Sequence, residues 1–364
     1  MSFGSGGVAR LDSQVFFVQK SVPGDKVQAR VSEIKKNFSR AEIVQVLEAS
    51  AQRINPPCPY QTECGGCNWQ QMTYSEQLLQ KQLIVQEQLN RFLNQKLELP
   101  QIVPSPQEFR YRDRVRLRVE AGHFGYSKYR SHDFLPIKDC LIAKESLVAK
   151  AFEVSSQGKM TGSIELRIDE PTSTVTAIAL DEEEGQFSQA NALLNTQMVG
   201  TVVDSMSAFK PNVIFDLYCG DGNFSFPLLK KLRPEQFFGI EYSVSAIRKA
   251  QQQAKTLGAS TKKVRFLAAA VEEALQTILI PASASVLLDP PRGGCEEFVM
   301  KALAESAPKS IHYVSCDPSS LGRDLQRFFR LTKSNYRINK VLLFDLFPQT
   351  EHVETLVEIE RYTP

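Results

Sequence analysis

The stretch from residue 190 to the carboxyl terminus alternates short, strongly apolar runs with helix-like segments. The apolar runs read NVIFDLYCG, FFGIEY, KVRFLAA, SVLLDPP, SIHYVSCDP and KVLLFDLF. Runs this short and this apolar are typical of strands that are buried on both faces, and the segments between them suit helices that cross from one parallel strand to the next. The pattern predicts an α/β fold with a Rossmann-like, doubly wound parallel sheet.

The first half of the chain is rich in strand patterns instead. Residues 1–53 contain alternating runs separated by turn residues, which predicts a small all-β module of the barrel or sandwich type. Leucines and isoleucines at helical spacing predict an amphipathic helix over 75–95, and residues 102–185 are β-rich again. We therefore expect three domains, 1–53, 54–186 and 187–364, with the helix packing on the last of them.

The bulk composition restricts the class of protein more than its function. A formal charge of +2 over 364 residues does not identify a binding partner. The sequence has no signal-peptide run near its start and no apolar stretch of membrane-spanning length. We expect a soluble, cytoplasmic protein with no membrane partner. In that reducing compartment its seven cysteines are not expected to form disulfides.

The first predicted strand of the sheet ends in DLYCGDGNFS, which places Gly220 and Gly222 in the turn that follows. Glu241 ends the next strand, where a carboxylate can accept from both hydroxyls of a ribose. A dinucleotide fingerprint would have a third glycine where Ser225 stands, so the pattern fits S-adenosylmethionine as well as NAD. Taken alone, the glycines and the acid are explained equally well by a site for a nucleoside cofactor and by a tight turn that binds no ligand.

Two later strand ends place reactive side chains at the same edge of the sheet. SVLLDPPRGGC puts Asp289 at one strand tip, and SIHYVSCDP puts Cys316 at the neighbouring tip. A cysteine at a ligand-facing rim is more readily explained as a nucleophile than as an apolar filler. Enzymes that methylate amines often have an aromatic residue after Asp-Pro-Pro, whereas this chain has Arg292. The arginine indicates a carbon target rather than an amine.

Three cysteines lie within ten residues, at Cys58, Cys64 and Cys67, and Cys140 is the only other one before the predicted sheet. Four thiolates suit either a structural zinc ion or a four-iron cluster, and the spacing does not separate the two. The tight spacing disfavours a set of unrelated buried thiols. We predict a metal site that stabilises a small central domain with a thin core.

Arginines alternate along the segment FRYRDRVRLRVE. On a strand they would share one face, and like charges placed so close together repel one another. A merely solvated face is therefore a poor explanation for the pattern. We predict that this face binds an RNA backbone through Arg110, Arg112, Arg114 and Arg116, with Arg118 next along the same face.

Four longer segments match a known family. They are DLYCGDGNFSFPLL, LLDPPRGGC, VSCDPSSLGRDL and DLFPQTEHVETLVEIER. They closely resemble the RNA uracil-5-methyltransferases, which make 5-methyluridine in ribosomal and transfer RNA. The resemblance implies that Cys316 is the nucleophile and Glu354 the general base. The reaction requires both groups. Carbon 5 of uracil is too weak a nucleophile to attack a methylsulfonium until a nucleophile adds at carbon 6, and a base must remove the carbon 5 proton before the thiol can leave.

The resemblance also implies cofactor and RNA contacts. S-adenosylmethionine is the implied cofactor, and its implied contacts are Gln189, Tyr218, Gly220, Asn223, Glu241 and Asp289. Relatives commonly have a polar residue near Ala270 to hold the adenine, so a backbone or apolar contact is implied here. One subset of the family carries a [4Fe–4S] cluster on this cysteine arrangement, which favours iron–sulfur over zinc. Arg292 and Phe187 are implied RNA contacts.

The first 53 residues resemble a TRAM domain, an OB-like β-barrel that supports RNA binding, and we expect its first strand to be missing. This module and the cysteine cluster together favour 23S ribosomal RNA as the substrate. Uridine 54 of transfer RNA is the alternative, and a non-catalytic RNA-binding protein on the same fold is another. We expect a monomer that acts on a flipped-out or looped uridine.

Overall fold

The computed structural model describes residues 1, 6–158, 160–169, 172–180, 190–332 and 335–362. Within these ranges the chain forms three sheets and divides into two compact units. The first unit comprises Met1–Ile84, Pro104–Leu194 and Asp345–His352, and the second comprises Val85–Val103, Asn195–Phe344 and Val353–Pro364. Among the described helices, none combines the length and the apolar character that crossing a membrane requires.

The first unit begins with a four-stranded sheet in the order β1-β2-β4-β3. Its strands are β1 (Gly7–Leu11), β2 (Gln14–Gln19), β3 (Lys26–Ile34) and β4 (Ser39–Glu48). β2 and β4 pair in parallel, whereas the other two pairs are antiparallel. Asp12 and Ser13 join β1 to β2 with φ of 47° and 66°, as a two-residue type I′ hairpin turn requires.

The predicted closed barrel is wrong for the described residues, because β1 and β3 are open edges of this sheet. A barrel requires an apolar interior filled by side chains from every strand. β3 instead leaves most of its residues exposed, including Val31 and Ile34, and β4 exposes Val44. These strands supply too few inward-facing apolar side chains to fill a closed interior.

The helix predicted over 75–95 is α1 (Tyr74–Leu93). Its buried apolar side chains belong to two different cores, whereas Leu79 and Leu83 are exposed. Ile84 packs in the first unit with Val22, Trp69 and Met72. Val85 and Leu89 belong to the core of the second unit, and β5 (Gln101–Val103) follows α1 into the sheet of that unit.

The second sheet of the first unit is antiparallel throughout, in the order β10-β9-β6-β7-β8. Its elements are β6 (Arg114–Glu120), β7 (His123–Ser127), β8 (Phe134–Pro136), α2 (Glu145–Ser156), β9 (Gly162–Asp169) and β10 (Thr174–Ala179). One face of β6 and β9 packs on α2. The buried residues there include Val115, Leu117, Ile164, Leu166 and Leu147.

The second unit contains the doubly wound sheet. Its elements are α3 (Ala192–Ala208), β11 (Val213–Leu217), α4 (Ser225–Leu232), β12 (Gln236–Glu241), α5 (Val244–Thr256), β13 (Val264–Ala268), α6 (Val271–Ala274), β14 (Ser285–Leu288), α7 (Glu297–Ser306), β15 (Ser310–Ser315), α8 (Pro318–Thr332), β16 (Tyr336–Phe344) and β17 (Glu354–Arg361). The strand order is β13-β12-β11-β14-β15-β17-β16-β5.

The predicted α/β fold is confirmed in this unit. β11 to β15 run parallel, and every residue of β14 and β15 is buried, as expected for central strands covered by helices on both faces. The chain order along the sheet reverses between β11 and β14. Ligands of open α/β sheets bind beyond the carboxyl ends of the strands at such a reversal, so this edge is where the functional side chains are sought.

Candidate active site

The turn after β11 leaves room for a ligand against the backbone. Tyr218, Gly220 and Gly222 have φ of 64°, 56° and 104°, and a Cβ on Gly220 would meet nothing within 4 Å. The Glu241 carboxylate accepts from the N–H groups of Gly220, at 3.2 Å, and Ser243, at 2.8 Å. The structure therefore brings the glycine turn and the acid of the next strand together and fixes the direction of the carboxylate.

A second carboxylate at this edge was missed by the sequence reasoning. Asp216 lies within β11, is fully buried, and accepts a hydrogen bond from the Ser225 hydroxyl at 2.5 Å. Its other oxygen, Oδ1, has no hydrogen-bond partner among the described residues. Burial raises the pKa of Asp216 to about 7, and the charge of Glu241 adds to the rise. The signal in the sequence was an acid inside the apolar run NVIFDLY.

Two further residues predicted near the cofactor, Asn223 and Ala270, are also described by the structure. Asn223 exchanges hydrogen bonds with Asn195, at 2.9 and 3.2 Å, through their side-chain amides. Ala270 precedes the first residue of α6 in an extended conformation and accepts backbone hydrogen bonds from Glu273 and Ala274. Gln189 and Phe187 lie outside the described residues.

Cys316 and Glu354 lie at the ends of adjacent antiparallel strands. The register of β15 and β17 pairs Ser315 with Thr355, so the next position along places Cys316 opposite Glu354. Glu354 is buried, whereas Cys316 is partly exposed. A thiol and a carboxylate that are 38 positions apart in sequence thus face one another at the carboxyl end of β15.

Burial makes both groups hard to ionise. It raises the pKa of the Cys316 thiol to about 12, with the negative charge of Glu354 as the next cause and Arg292 acting in the opposite direction. Burial also raises the pKa of Glu354 well above its ordinary value, and Asp289 adds to the rise while Arg292 opposes it. Arg292 is the cation that favours the ionised forms of both groups, and its side chain remains exposed.

The four predicted cluster cysteines come together in the first unit. Cys58, Cys64, Cys67 and Cys140 line one cavity, and each is a free thiol. As placed, however, the described residues contain no group of three or more His, Cys, Asp or Glu side chains that could hold a metal ion. The metal-site prediction is therefore not supported by a metal-binding group, although the four thiols share one cavity.

Arg112 forms part of the wall of the same cavity. It is half-buried, lies over the ring of Tyr111 at 5.9 Å and over that of Phe347 at 5.8 Å, and its Nε has no hydrogen-bond partner within the described ranges. The predicted ladder of five arginines on one strand is consequently wrong. β6 begins only at Arg114, so neither Arg110 nor Arg112 lies on it.

The remaining arginines are paired with acids. Arg110 has a φ of 54° and binds the Asp139 carboxylate through both terminal nitrogens, at 2.8 and 2.6 Å. Arg114 and Arg116 share the buried Glu165 of the neighbouring strand β9. Acidic residues therefore offset the repulsion expected between these arginines, and the sequence of one strand does not show which residues its neighbour places beside it.

The chain matches two known families over most of its length. Residues 172–362 match the tRNA (Uracil-5-)-methyltransferase family, and residues 2–44 match the TRAM domain. A relative from Bdellovibrio bacteriovorus, described as an uncharacterized RNA methyltransferase, is 36% identical over 99% of this chain and 93% of its own length.

A relative from Marinomonas sp., described as 23S rRNA (uracil(1939)-C(5))-methyltransferase RlmD, is 29% identical over 98% of this chain and 92% of its own. Among solved structures, the tRNA (uracil-54, C5)-methyltransferase of Pyrococcus abyssi in complex with S-adenosyl-L-homocysteine superposes with a TM-score of 0.74. It is 20% identical and covers 98% of each chain, so this likeness concerns the fold.

Proposed function

Because the chain belongs to the tRNA (uracil-5-)-methyltransferase family, we propose that it methylates carbon 5 of uracil in RNA, with S-adenosylmethionine as the methyl donor. The observation that carries the proposal is the placement of Cys316, directly after the carboxyl end of β15, opposite Glu354, the first residue of the antiparallel strand β17. Transfer to an amine would require neither a thiol nor a base at this position. Transfer to carbon 5 of a pyrimidine requires both.

In the proposed reaction the thiolate of Cys316 adds to carbon 6 of the uracil, and the resulting enolate makes carbon 5 nucleophilic. S-adenosylmethionine, when bound, supplies the methyl group that carbon 5 takes up. Glu354 then removes the proton from carbon 5, and the electrons of that bond restore the double bond between carbons 5 and 6 as the Cys316 thiolate leaves. At this point Cys316 is again a thiolate and Glu354 carries the proton taken from carbon 5. When Glu354 releases that proton, both groups have the charge with which the reaction began.

The proton of the resting thiol has to leave before or during the addition, because burial raises the pKa of Cys316 to about 12. Arg292 is the side chain whose charge favours this loss, since it lowers the pKa of Cys316 and of Glu354 together. We assign Arg292 to this role as well as to contact with an RNA phosphate, which its exposed position permits.

The residues at the end of β11 suit S-adenosylmethionine. Gly220 leaves open space in front of its backbone, and the oriented Glu241 carboxylate is available to ribose hydroxyls. The buried Asp216, whose Oδ1 accepts no hydrogen bond from the described residues, gives the site negative charge that a sulfonium cation would compensate. Tyr218, Asn223 and Asp289, with Gln189, complete the proposed set of cofactor contacts.

The four cysteines line one cavity together, as a four-thiolate site for a zinc ion or an iron–sulfur cluster requires. A [4Fe–4S] cluster is larger and uses four thiolates, and its net negative charge would be opposed by Arg112 in the cavity wall. We propose that Cys58, Cys64, Cys67 and Cys140 hold such a cluster and thereby stabilise residues 54–186.

The proposed substrate is 23S ribosomal RNA, since the Marinomonas relative that matches nearly the whole chain is described by that substrate. Transfer RNA is the second candidate. We propose that residues 1–53 and 54–186 bind the RNA while residues 187–364 carry the chemistry. Within the central part, Arg116 is the most exposed of the arginines of β6 and is the first candidate for a backbone contact, ahead of Arg110, Arg112 and Arg114.

RNA that contains 5-fluorouridine tests the reaction. Fluorine cannot leave carbon 5 as a cation, so the covalent adduct between Cys316 and the methylated base should persist and shift the protein on a denaturing gel. Mass spectrometry should place the adduct on Cys316, and the variant Cys316→Ala should form none. Absence of an adduct with the wild-type chain, S-adenosylmethionine and both ribosomal and transfer RNA would contradict the proposal.

Glu354→Gln tests the base separately. With ordinary RNA this variant should accumulate the methylated adduct, because carbon 5 keeps its proton and the thiol cannot leave. Glu358→Gln is the matched control, since Glu358 lies on the same strand but bonds to Ser205 and Asn339 instead. Turnover by Glu354→Gln at the wild-type rate would remove Glu354 from the mechanism.

A further inference from the structure

A buried carboxylate behind the active site holds the loop that carries Arg292. Asp324, on α8, is fully buried. Its Oδ2 accepts from the backbone N–H of Cys295 at 2.7 Å and from the hydroxyl of Tyr313 at 2.8 Å. Cys295 ends the loop 289–295, and Tyr313 lies on β15, three residues before Cys316. One side chain therefore joins the loop to the strand that carries the nucleophile.

The second oxygen of Asp324 orients the neighbouring Arg323. Its Oδ1 accepts from Arg323 Nε at 3.0 Å and from Nη2 at 2.9 Å, and the same Nη2 donates to the carbonyl of Gly293 at 2.6 Å. The loop is thus held at Gly293 and again at Cys295, and both contacts depend on the Asp324 carboxylate.

The packing between the loop and α8 leaves no space for adjustment. A Cβ on Gly294 would lie 2.3 Å from Asp324 Oδ2 and 2.6 Å from Arg323 Nη2, and Gly294 has a φ of 76°. The loop is also closed on itself by a hydrogen bond from the Gly294 N–H to the Pro291 carbonyl at 2.8 Å. Arg292 lies inside that turn, so its direction follows from how the turn is held.

The start of α8 is fixed to the nucleophile as well. Asp317, directly after Cys316, accepts from the N–H groups of Ser319 and Ser320 at 2.9 Å each through its Oδ1, which caps the helix. Cys316 therefore lies two residues before a capped helix that carries Asp324, and the hydrogen bond from Cys295 connects Asp324 to the loop.

We propose that Asp324 is a positioning residue: by tying the loop 289–295 to α8 and β15, it keeps the Arg292 guanidinium beside the Cys316 thiol. The proposal rests on the proposed function, in which that thiol attacks carbon 6. Asp324 itself touches neither RNA nor cofactor in this role. Its effect reaches the chemistry through Arg292.

The charged groups that face Cys316 are Glu354, Arg292, Asp289 and Asp317. Arg292 is the only cation among these four, and its charge favours the thiolate, whereas the three acids disfavour it. When the loop is released, Arg292 moves away, whereas Glu354 and Asp317 lie outside the loop and remain. The thiolate fraction of Cys316 at a given pH should then fall, by about 3–10-fold for a rise of half to one pKa unit.

Alkylation of Cys316 by iodoacetamide measures this fraction without RNA or cofactor. The rate is followed against pH by mass spectrometry of the tryptic peptide 310–323, which contains no other cysteine. Asp324→Asn keeps the shape of the side chain but removes its charge, and we expect its profile to move to higher pH with a 3–10-fold lower rate below the midpoint. Arg292→Gln should move the profile equally, and the double variant no further.

Arg327→Gln is the matched control. Arg327 pairs with Asp324 Oδ1 at 3.6 Å from the same helix, and its other acidic neighbour is Glu297, so its removal should leave the Cys316 profile unchanged. An unchanged or faster profile in folded Asp324→Asn overturns the proposal, as does a further shift in the double variant. If Asp324→Asn does not fold, Arg323→Gln decides instead, because it removes the contact to Gly293 and the two hydrogen bonds to Asp324 Oδ1 but leaves Asp324 bonded to Cys295 and Tyr313. These results do not depend on RNA adduct formation, so failure of the proposed function is recognised separately.

Discussion

Asp216→Asn should stabilise the protein, and the gain should depend on pH. Burial raises the pKa of Asp216 from 3.8 to about 7, which means that the folded state disfavours the ionised carboxylate. The folded state therefore loses stability as pH rises from the unfolded pKa near 4 to the folded pKa near 7. Since one pKa unit corresponds to about 1.4 kcal/mol, the full penalty above pH 7 is about 4 kcal/mol.

Asparagine removes this penalty because it does not ionise. It can also keep the hydrogen bond from Ser225 through its amide oxygen. We expect Asp216→Asn to increase the free energy of unfolding by up to about 4 kcal/mol near pH 8 and by about 1–2 kcal/mol near pH 5, where most of the penalty is absent. The added N–H₂ group replaces an oxygen that has no partner among the described residues. Because a buried donor without a partner costs free energy, the increases in unfolding free energy given above are upper bounds.

Urea denaturation followed by far-UV circular dichroism at the two pH values measures the difference. Asp204→Asn is the control, because Asp204 is exposed and pairs with Lys231 at the surface, where removal of a charge changes stability by less than about 1 kcal/mol. An Asp216→Asn variant that gains the same free energy at both pH values, or loses stability near pH 8, would refute the assignment of a raised pKa to this carboxyl.

Three further expectations concern other parts of the chain. Lys81→Met should lower the free energy of unfolding, measured by urea denaturation, by about 3–5 kcal/mol. The reason is that the buried Asp345, whose carboxylate lies 2.5 Å from Lys81 Nζ, loses its cation. A second change, Asp345→Leu, should recover most of this loss. Gly222→Ala should lower the melting temperature and weaken binding of S-adenosylhomocysteine, because φ is 104° and the new Cβ would lie 2.3 Å from the Phe226 ring. Calorimetric affinity for S-adenosylmethionine should rise with pH around pH 7, as Asp216 ionises, while the affinity for the neutral S-adenosylhomocysteine should change less; equal pH dependence of the two ligands would count against the role given to Asp216.

The doubly wound sheet could be predicted because its strands are buried on both faces and therefore read as apolar runs. The placement of Gly220, Glu241 and Cys316 at one edge followed from the same prediction, since each lies at or just beyond the carboxyl end of a parallel strand. Pairing Cys316 with Glu354 did not follow from any spacing. It depends on the antiparallel register of β17 beside β15, which resemblance supplied and periodicity could not.

The errors in the first unit have a common physical origin. Arg110 was expected on a strand, but its positive φ and its pairing with Asp139 place it before β6 begins. Glu165 neutralises two of the other arginines from a strand some fifty residues away in sequence. Alternation within one segment shows which side chains share a face only after the strand boundaries and the neighbouring strand are known.

The raised pKa of Glu354 suits the order of events in the proposed reaction. Glu354 must be ionised when the carbon 5 proton is removed, yet burial and Asp289 both favour its protonated form. A sulfonium cation bound nearby would lower the pKa of Glu354 before methyl transfer, and transfer abolishes that positive charge. Glu354 would then be a carboxylate in surroundings that favour protonation, which makes it a stronger base at the step that requires one. The same burial that destabilises the ionised site therefore contributes to the driving force for removing the proton.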